Sequence, residues 1–454
     1  MLLFSFDLSI RKNSKNRAFM VYLLLIILAV ILIIWIYRYP FYGLIFMILV
    51  NSVEGLFPLT KGLTIGRFVG IFACIGWVNY LQKNGGIMFR LGKSKLIRSL
   101  WAFPMFCLFG VIFGKKPFDN VFFFLTILLL AIMAIMIESL VDNKRKLYLL
   151  LLAIAMSSVL ISILPFADYF NIDLYSPLGV EHGFGTEGVR AKGLTNSSNS
   201  LGLDAAMGLF CVLAIINLKH RMLGNISLLV IALILIGGLL LSGSRTNLII
   251  FIVFLFVFGG FRFAGPKRGF YSSLVKGGCL IAIGFLAYKR IPEELQDRFI
   301  FFGKNVQAST LDRAQFADDQ RKNALYVFSR HPIFGVGLNG FRVNSHGAHD
   351  TVSGLLAETG LLGIFSFIWL VFSCLKKLYR SSIKCKKADL KLYYYSITLM
   401  ASFIAILVGG WGGYTVYYNR WFWIVVGISS VIERWSLTLH IKQERLSKKM
   451  QLRY

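Results

Sequence analysis

Five stretches of this chain, Phe19–Ile36, Val121–Ile137, Leu147–Leu164, Leu223–Leu241 and Leu248–Phe263, run almost without a charged residue. Wound as helices, they have the length needed to cross ~30 Å of hydrocarbon. A chain with that much apolar surface has too few charges to shield it from water. Of its 454 residues, 57% are hydrophobic and only 15% are charged, against about 25% in a typical soluble protein. The alternating pattern of membrane-barrel strands is absent. The expected fold class is therefore all-α, a polytopic membrane protein.

Charge then sets the orientation. The chain carries 49 Lys+Arg against 21 Asp+Glu, a net charge of +28. In a soluble domain this excess would suggest nucleic acid, but here the basic residues collect in short loops between apolar runs. The clusters lie at Arg11–Arg17, Lys83–Arg98, Lys144–Lys146, Lys219–Arg221, Lys267–Arg268, Lys376–Lys387 and His440–Arg453. There they set orientation and meet anionic lipid, and no nucleic-acid partner is expected. With these loops inside, crossings alternate near 420–438, 391–410, 351–375, 270–288, 246–264, 223–242, 197–217, 147–165, 120–140, 99–113 and 63–82. Region 18–57, broken at "YRYPFYG", adds one more crossing, with part of 41–57 shallow or re-entrant. The total is about 12 transmembrane helices, and the first apolar run reads as a retained anchor rather than a signal peptide.

This topology divides the chain into N-terminal transmembrane helices (1–165), a first outer loop (166–196), central transmembrane helices (197–288), a large outer loop (289–350), and C-terminal transmembrane helices with a basic inner tail (351–454). A long loop among short ones is usually functional or disordered. Within the second, "STLDRAQFADDQRKNALYVFSR" predicts an amphipathic helix lying over the mouth of the bundle. Ser309 is its expected N-cap, Asp312 lies in its first turn, and His331-Pro332 is its stop. Leu311, Ala314, Ala317, Ala324, Leu325 and Phe328 recur at helical spacing.

Several polar residues fall at the outer boundary. Arg245, in "LLLSGSRTNLII", either snorkels or binds an anion. Arg190, in "GVRAKGLTNSSNSLGLD", precedes a crossing on the same side, and Arg321 sits on the loop helix. Arginines meeting there would make a permanently charged phosphate site. Asp350 is a natural N-cap for a helix starting near Thr351. His349 immediately precedes that helix, whose partial positive charge favours neutral imidazole, a base. His346 is its local competitor. Glu358 lies about 13 Å further along the helix; it marks a cavity or makes a structural hydrogen bond, and Asp204 is similar but shallower. "GVGLNGF" lacks the Walker pattern, and its glycines would turn the chain sharply. The six cysteines form no CxxC pair. No His/Cys/carboxylate cluster on the outer face has metal-ligand spacing, so neither cofactor nor metal is expected.

Taken together, "VRAKGLTNSSNSLG", the "SGSR" turn, "SRHPIFGVGLNGF", "AHDT" and "LAETGLLG" resemble, in order and spacing, the O-antigen ligase and polymerase superfamily of bacterial envelopes. The matching region runs from about 185 to 370. The resemblance implies a metal-independent glycosyltransferase of the GT-C type in the bacterial cytoplasmic membrane, its active site on the extracytoplasmic face. Its substrate would be an undecaprenyl-pyrophosphate-linked oligosaccharide. A flippase and a chain-length regulator would be its partners. The family's catalytic histidine falls on His349 and its functional arginines on Arg190 and Arg245. A further loop arginine falls near Ala317, with Arg313 one turn before and Arg321 one turn after. The expected activity is repeat-unit polymerisation for O-antigen, capsule or exopolysaccharide. The alternatives are an O-antigen ligase acting on lipid A-core and, from a different class, a polysaccharide transporter. A transporter would spread charges through the bundle and show paired halves with broken helices.

Overall fold

A computed structural model describes residues 27–50, 58–60, 63–83, 95–114, 117–172, 174, 190–195, 197–216, 222–263, 289, 304–341, 350–412 and 415–451. The helices are α1 (Ile27–Arg38), α2 (Pro40–Val50), α3 (Ile65–Lys83), α4 (Lys95–Ile112), α5 (Pro117–Leu140), α6 (Lys144–Tyr169), α7 (Ser198–Ile216), α8 (Met222–Leu241) and α9 (Arg245–Phe263). They continue with α10 (Lys304–Arg330), α11 (Thr351–Ala388), α12 (Leu390–Gly412) and α13 (Arg420–Gln451), a 3-10 turn at Val416–Tyr418 preceding α13. A two-stranded ribbon, Pro58–Thr60 with Leu63–Thr64, stands before α3.

Apart from this ribbon the described structure is helical, that of a polytopic membrane protein, and seven of the described helices are long and apolar enough to span a bilayer: parts of α5, α6, α7, α9, α11, α12 and α13. Other expected crossings fall on shorter apolar helices, Ile97–Ile112 and Ile226–Leu241, or on α3. The one expected near 270–288 lies outside the described residues. The "YRYPFYG" break is real: Tyr39 separates α1 from α2, and Pro40 opens the second helix. Phe41, Leu44, Met47 and Ile48 on α2 are buried, so this short helix is packed into the bundle.

Helices α5, α7, α9, α11 and α13 begin at the end of the bundle where α4, α8 and α12 finish. The opposite, basic end is tied by charges. Lys144 pairs with Asp389, and Lys377 with Glu433 at 2.5 Å. Arg434 donates to the Glu138 and Val141 carbonyls that end α5. Between the ends the core is aromatic. Phe210 stacks on Phe254 with ring centroids 3.8 Å apart, and Phe103 lies against both Tyr417 and Trp423. Around it, Phe256, Phe372 and Phe122 are exposed, as an apolar surface facing lipid requires.

The loop helix α10 is longer than expected. It starts at Lys304, so Ser309 and Asp312 lie inside it and Ser309 is not its N-cap. It stops at Arg330, one residue before His331-Pro332. Of the expected apolar stripe, Ala324 is buried and Phe328 half-buried, whereas Leu325 is half exposed; Gln320 joins the buried side. A small second core of Ala324, Val336, Phe341 and Ala357 fastens α10 to the first turns of α11.

Helix α11 has 38 residues, which at 1.5 Å each would span ~57 Å. It is not one rod. Gly360 stands at φ 63°, ψ −161°, and breaks it after Thr359. The segment after α10 fills the break. Val336 N–H donates to Ala357 O and Gly337 N–H to Glu358 O; Leu361 and Leu362 N–H donate to Pro332 and Ile333 carbonyls. A helix interrupted within apolar surroundings must have its freed backbone groups satisfied by protein, and here "HPIFGVG" supplies them. The approach is possible only for glycine. A Cβ on Gly360 would lie 2.4 Å from Ile333 O, and one on Gly335 2.4 Å from the Glu358 carbonyl carbon.

Candidate functional site

The site is built at the loop-bearing end from chain segments far apart in sequence. Arg190 lies just before α7 and folds back across it. Its Nε donates to Ser242 O at 3.0 Å and its Nη2 to Asn199 Oδ1 at 2.9 Å. The next residue, Ala191, hydrogen-bonds Leu241 O. Arg190 is thereby held against the "SGSR" turn joining α8 to α9, and Arg245 is the first residue of α9. Asn247 tightens the same turn, donating to Asn199 O at 2.7 Å and Ser244 Oγ at 2.9 Å. The structure therefore joins the Arg190 segment to the turn bearing Arg245, as their shared side of the membrane suggests. These two acceptors, a backbone carbonyl and an amide oxygen, fix the plane of the guanidinium.

Asp350 is the N-cap of α11, with extended backbone and an Oδ1 that accepts from Ser353 N–H at 2.8 Å. Its Oδ2 accepts from Ser353 Oγ at 2.5 Å and from Arg321 Nε at 3.1 Å. Arg321 is thus brought to the start of α11, and its Nη2 reaches Trp411 O at 3.5 Å. His346 and His349 lie outside the described residues. Arg313 lies on α10, with its side chain outside the description.

Glu358 is 2% exposed and accepts from Tyr417 OH at 2.8 Å and Tyr418 OH at 3.2 Å. The structural hydrogen bond that the sequence left open to it is present. It ties α11 to the 3-10 turn before α13, which Thr351 Oγ1 also holds through Val416 N–H.

Among the described ion pairs at this end, that of Asp204 is the more enclosed. Both its oxygens accept from Arg420 Nη2 at 3.0 Å, and Oδ1 also accepts from Trp421 Nε1. Sequence reading passed over Arg420, Tyr417 and Tyr418. The available signal was "YTVYYNRWFW", an aromatic run with one arginine at the boundary of a crossing. Among the described residues no three His, Cys, Asp or Glu side chains gather as a metal site would need. No protein-family model matches the chain, and no curated protein matches it.

Proposed function

We propose that this protein polymerises undecaprenyl-pyrophosphate-linked oligosaccharide repeat units for O-antigen, capsule or exopolysaccharide, at the outer face of a bacterial cytoplasmic membrane. It does so as a metal-independent, inverting glycosyltransferase of the GT-C type with about twelve crossings. The observation that carries this reading is the docking of Arg190 on the turn that bears Arg245, at the bundle end where α11 begins and His349 immediately precedes it in sequence. In this scheme a sugar hydroxyl of the acceptor attacks the anomeric carbon of the donor chain. His349 takes the hydroxyl proton as general base. The carbon–oxygen bond to the lipid pyrophosphate breaks, and Arg190 and Arg245 receive the charge that develops on the leaving group.

The break at Gly360 bears on the transporter alternative, which would use discontinuous helices to hold its cargo. Here the freed carbonyls of Ala357 and Glu358 are filled by Val336 and Gly337, so those groups are engaged by protein.

Two measurements test the reading. In purified, expression-matched protein extending a lipid-linked repeat unit, His349→Ala should slow extension about 10²–10⁴-fold, the usual worth of a general base. His346→Ala should lose much less. Normal extension by both variants would remove the histidine from the mechanism, while transfer to lipid A-core but not to a second repeat unit would make the enzyme a ligase. Orientation is read with single cysteines in a cysteine-free background. Gly183→Cys and Gly303→Cys should react with an impermeant thiol reagent from outside, and Lys386→Cys should not. Lys386 is exposed at the basic end, whereas nearby Ser381 is buried against Ser436 and would be a poor probe. The reverse labelling pattern would put the arginines on the wrong face.

A further inference from the structure

We infer that Arg321 is a latch rather than a ligand for substrate phosphate: it fastens the loop helix α10 to the capped start of α11 and so positions the catalytic end of that helix. Its link to catalysis rests on the glycosyltransferase reading above; the latch itself does not.

Four observations meet at this residue. Arg321 spends its Nε on Asp350 and its Nη2 on the Trp411 carbonyl that ends α12, so one guanidinium touches three elements. Asp350 is already the cap of α11, and its two oxygens take donors from the Ser353 backbone and hydroxyl. A pyrophosphate approaching Arg321 would have to share the guanidinium with the Asp350 carboxylate, whose like charge repels it. The side chain of Asp350 is 9% exposed and that of Arg321 45%, so the pair sits at the water boundary and closes the edge of a buried contact. That contact is the small core of Ala324, Val336, Phe341 and Ala357, which lies next to Arg321 on α10. With "HPIFGVG" wedged into the break at Gly360, α10 is held on α11 at both ends of the helical piece Thr351–Thr359.

An electrostatic latch and a phosphate ligand respond differently to the same changes. Asp350→Asn keeps an N-cap side chain, since asparagine caps as well as aspartate, but removes the charge that holds Arg321. Arg321→Gln removes the other half. The experiment uses the purified full-length protein in lipid nanodiscs, with a spin label on Asn323→Cys, an exposed position of α10, in a cysteine-free background. Arg321→Gln, Asp350→Asn and the double variant are compared for label mobility, and for kcat and KM towards the lipid-linked donor. The latch predicts greater mobility in both single variants and none added in the double. It also predicts a kcat lowered about two- to five-fold, the range for a partly exposed ion pair, with donor KM unchanged. Unchanged mobility in both single variants overturns it. So does a donor KM raised tenfold or more by Arg321→Gln alone with Asp350→Asn neutral, which is the behaviour of a phosphate ligand. If the unmodified protein transfers no glycan, the glycosyltransferase reading fails while the mobility comparison still decides the latch.

Discussion

Replacing Gly360 with alanine should collapse the loop-bearing end of the bundle. The residue sits at φ 63°, ψ −161°, a region open in practice only to glycine, and forcing another residue there costs about 1–3 kcal/mol. The added Cβ would also lie 2.4 Å from Ile333 O and 2.8 Å from Gly335 N. Both are backbone atoms of the segment that seals the helix break, so neither can swing aside as a side chain would. Either "HPIFGVG" withdraws, leaving the carbonyls of Ala357 and Glu358 without their N–H donors, or α11 straightens and expels it. Each buried group so stranded costs a further ~1–3 kcal/mol. The expected loss is about 3 kcal/mol or more, read as a large fall in melting temperature or as aggregation on size exclusion in detergent. Gly260→Ala is the matched control. That glycine is on α9 with nothing within 4 Å of its would-be Cβ, so the change should be neutral or stabilise by up to ~1 kcal/mol through helix propensity. Melting of Gly360→Ala at the unmodified protein's temperature would mean that the break is not required.

The second large effect is expected at Asp204. Its carboxylate is 7% exposed and Arg420 22%, and the pair links α7 to α13 with Trp421 Nε1 as a third partner. Removing one member of a buried pair strands the other charge and costs about 3–5 kcal/mol, whereas replacing both with apolar groups is often neutral. Asp204→Ala should therefore destabilise strongly. Asp204→Leu combined with Arg420→Met should recover most of the loss. The same cycle on Asp318 and Lys322, an exposed pair at 2.7 Å on α10, should shift nothing measurable. Equal losses in the single and double Asp204–Arg420 variants would show that the cluster acts through packing and not through charge.

The sequence was legible wherever one property repeats along the chain. Apolar length marked α5, α6, α7, α9, α12 and α13, because hydrocarbon selects for uninterrupted hydrophobicity and that signal is local. His331-Pro332 marked the end of α10 because proline disfavours helix in the residue before it. Asp350 was readable as the cap of α11 because a cap needs only its own side chain and the next turn. The same rule misled at Ser309, where α10 begins earlier, since a capping residue inside a helix carries no mark of its own.

Tertiary structure alone decided the rest. The seal at Gly360 is made by backbone groups of residues 332–337, and backbone hydrogen bonds leave no side-chain signature, so "GVG" read as a turn and "ETG" as unbroken helix. Arg190 and Arg245 shared a side of the membrane in the sequence, but only folding showed that one is bonded to the turn carrying the other. Arg321 and Asp350 were both visible as single residues, one as a phosphate-binding candidate and one as a cap. Their pairing depends on the packing of α10 over α11, through Ala324 and Ala357. Likewise the roles of Glu358 and Asp204 waited on partners about sixty and more than two hundred residues away. Sequence determined which segments meet lipid and where helices can end, because hydrophobicity and capping act over a few residues. The tertiary structure decided which charges face each other, because electrostatic partners are set by distance in space rather than along the chain.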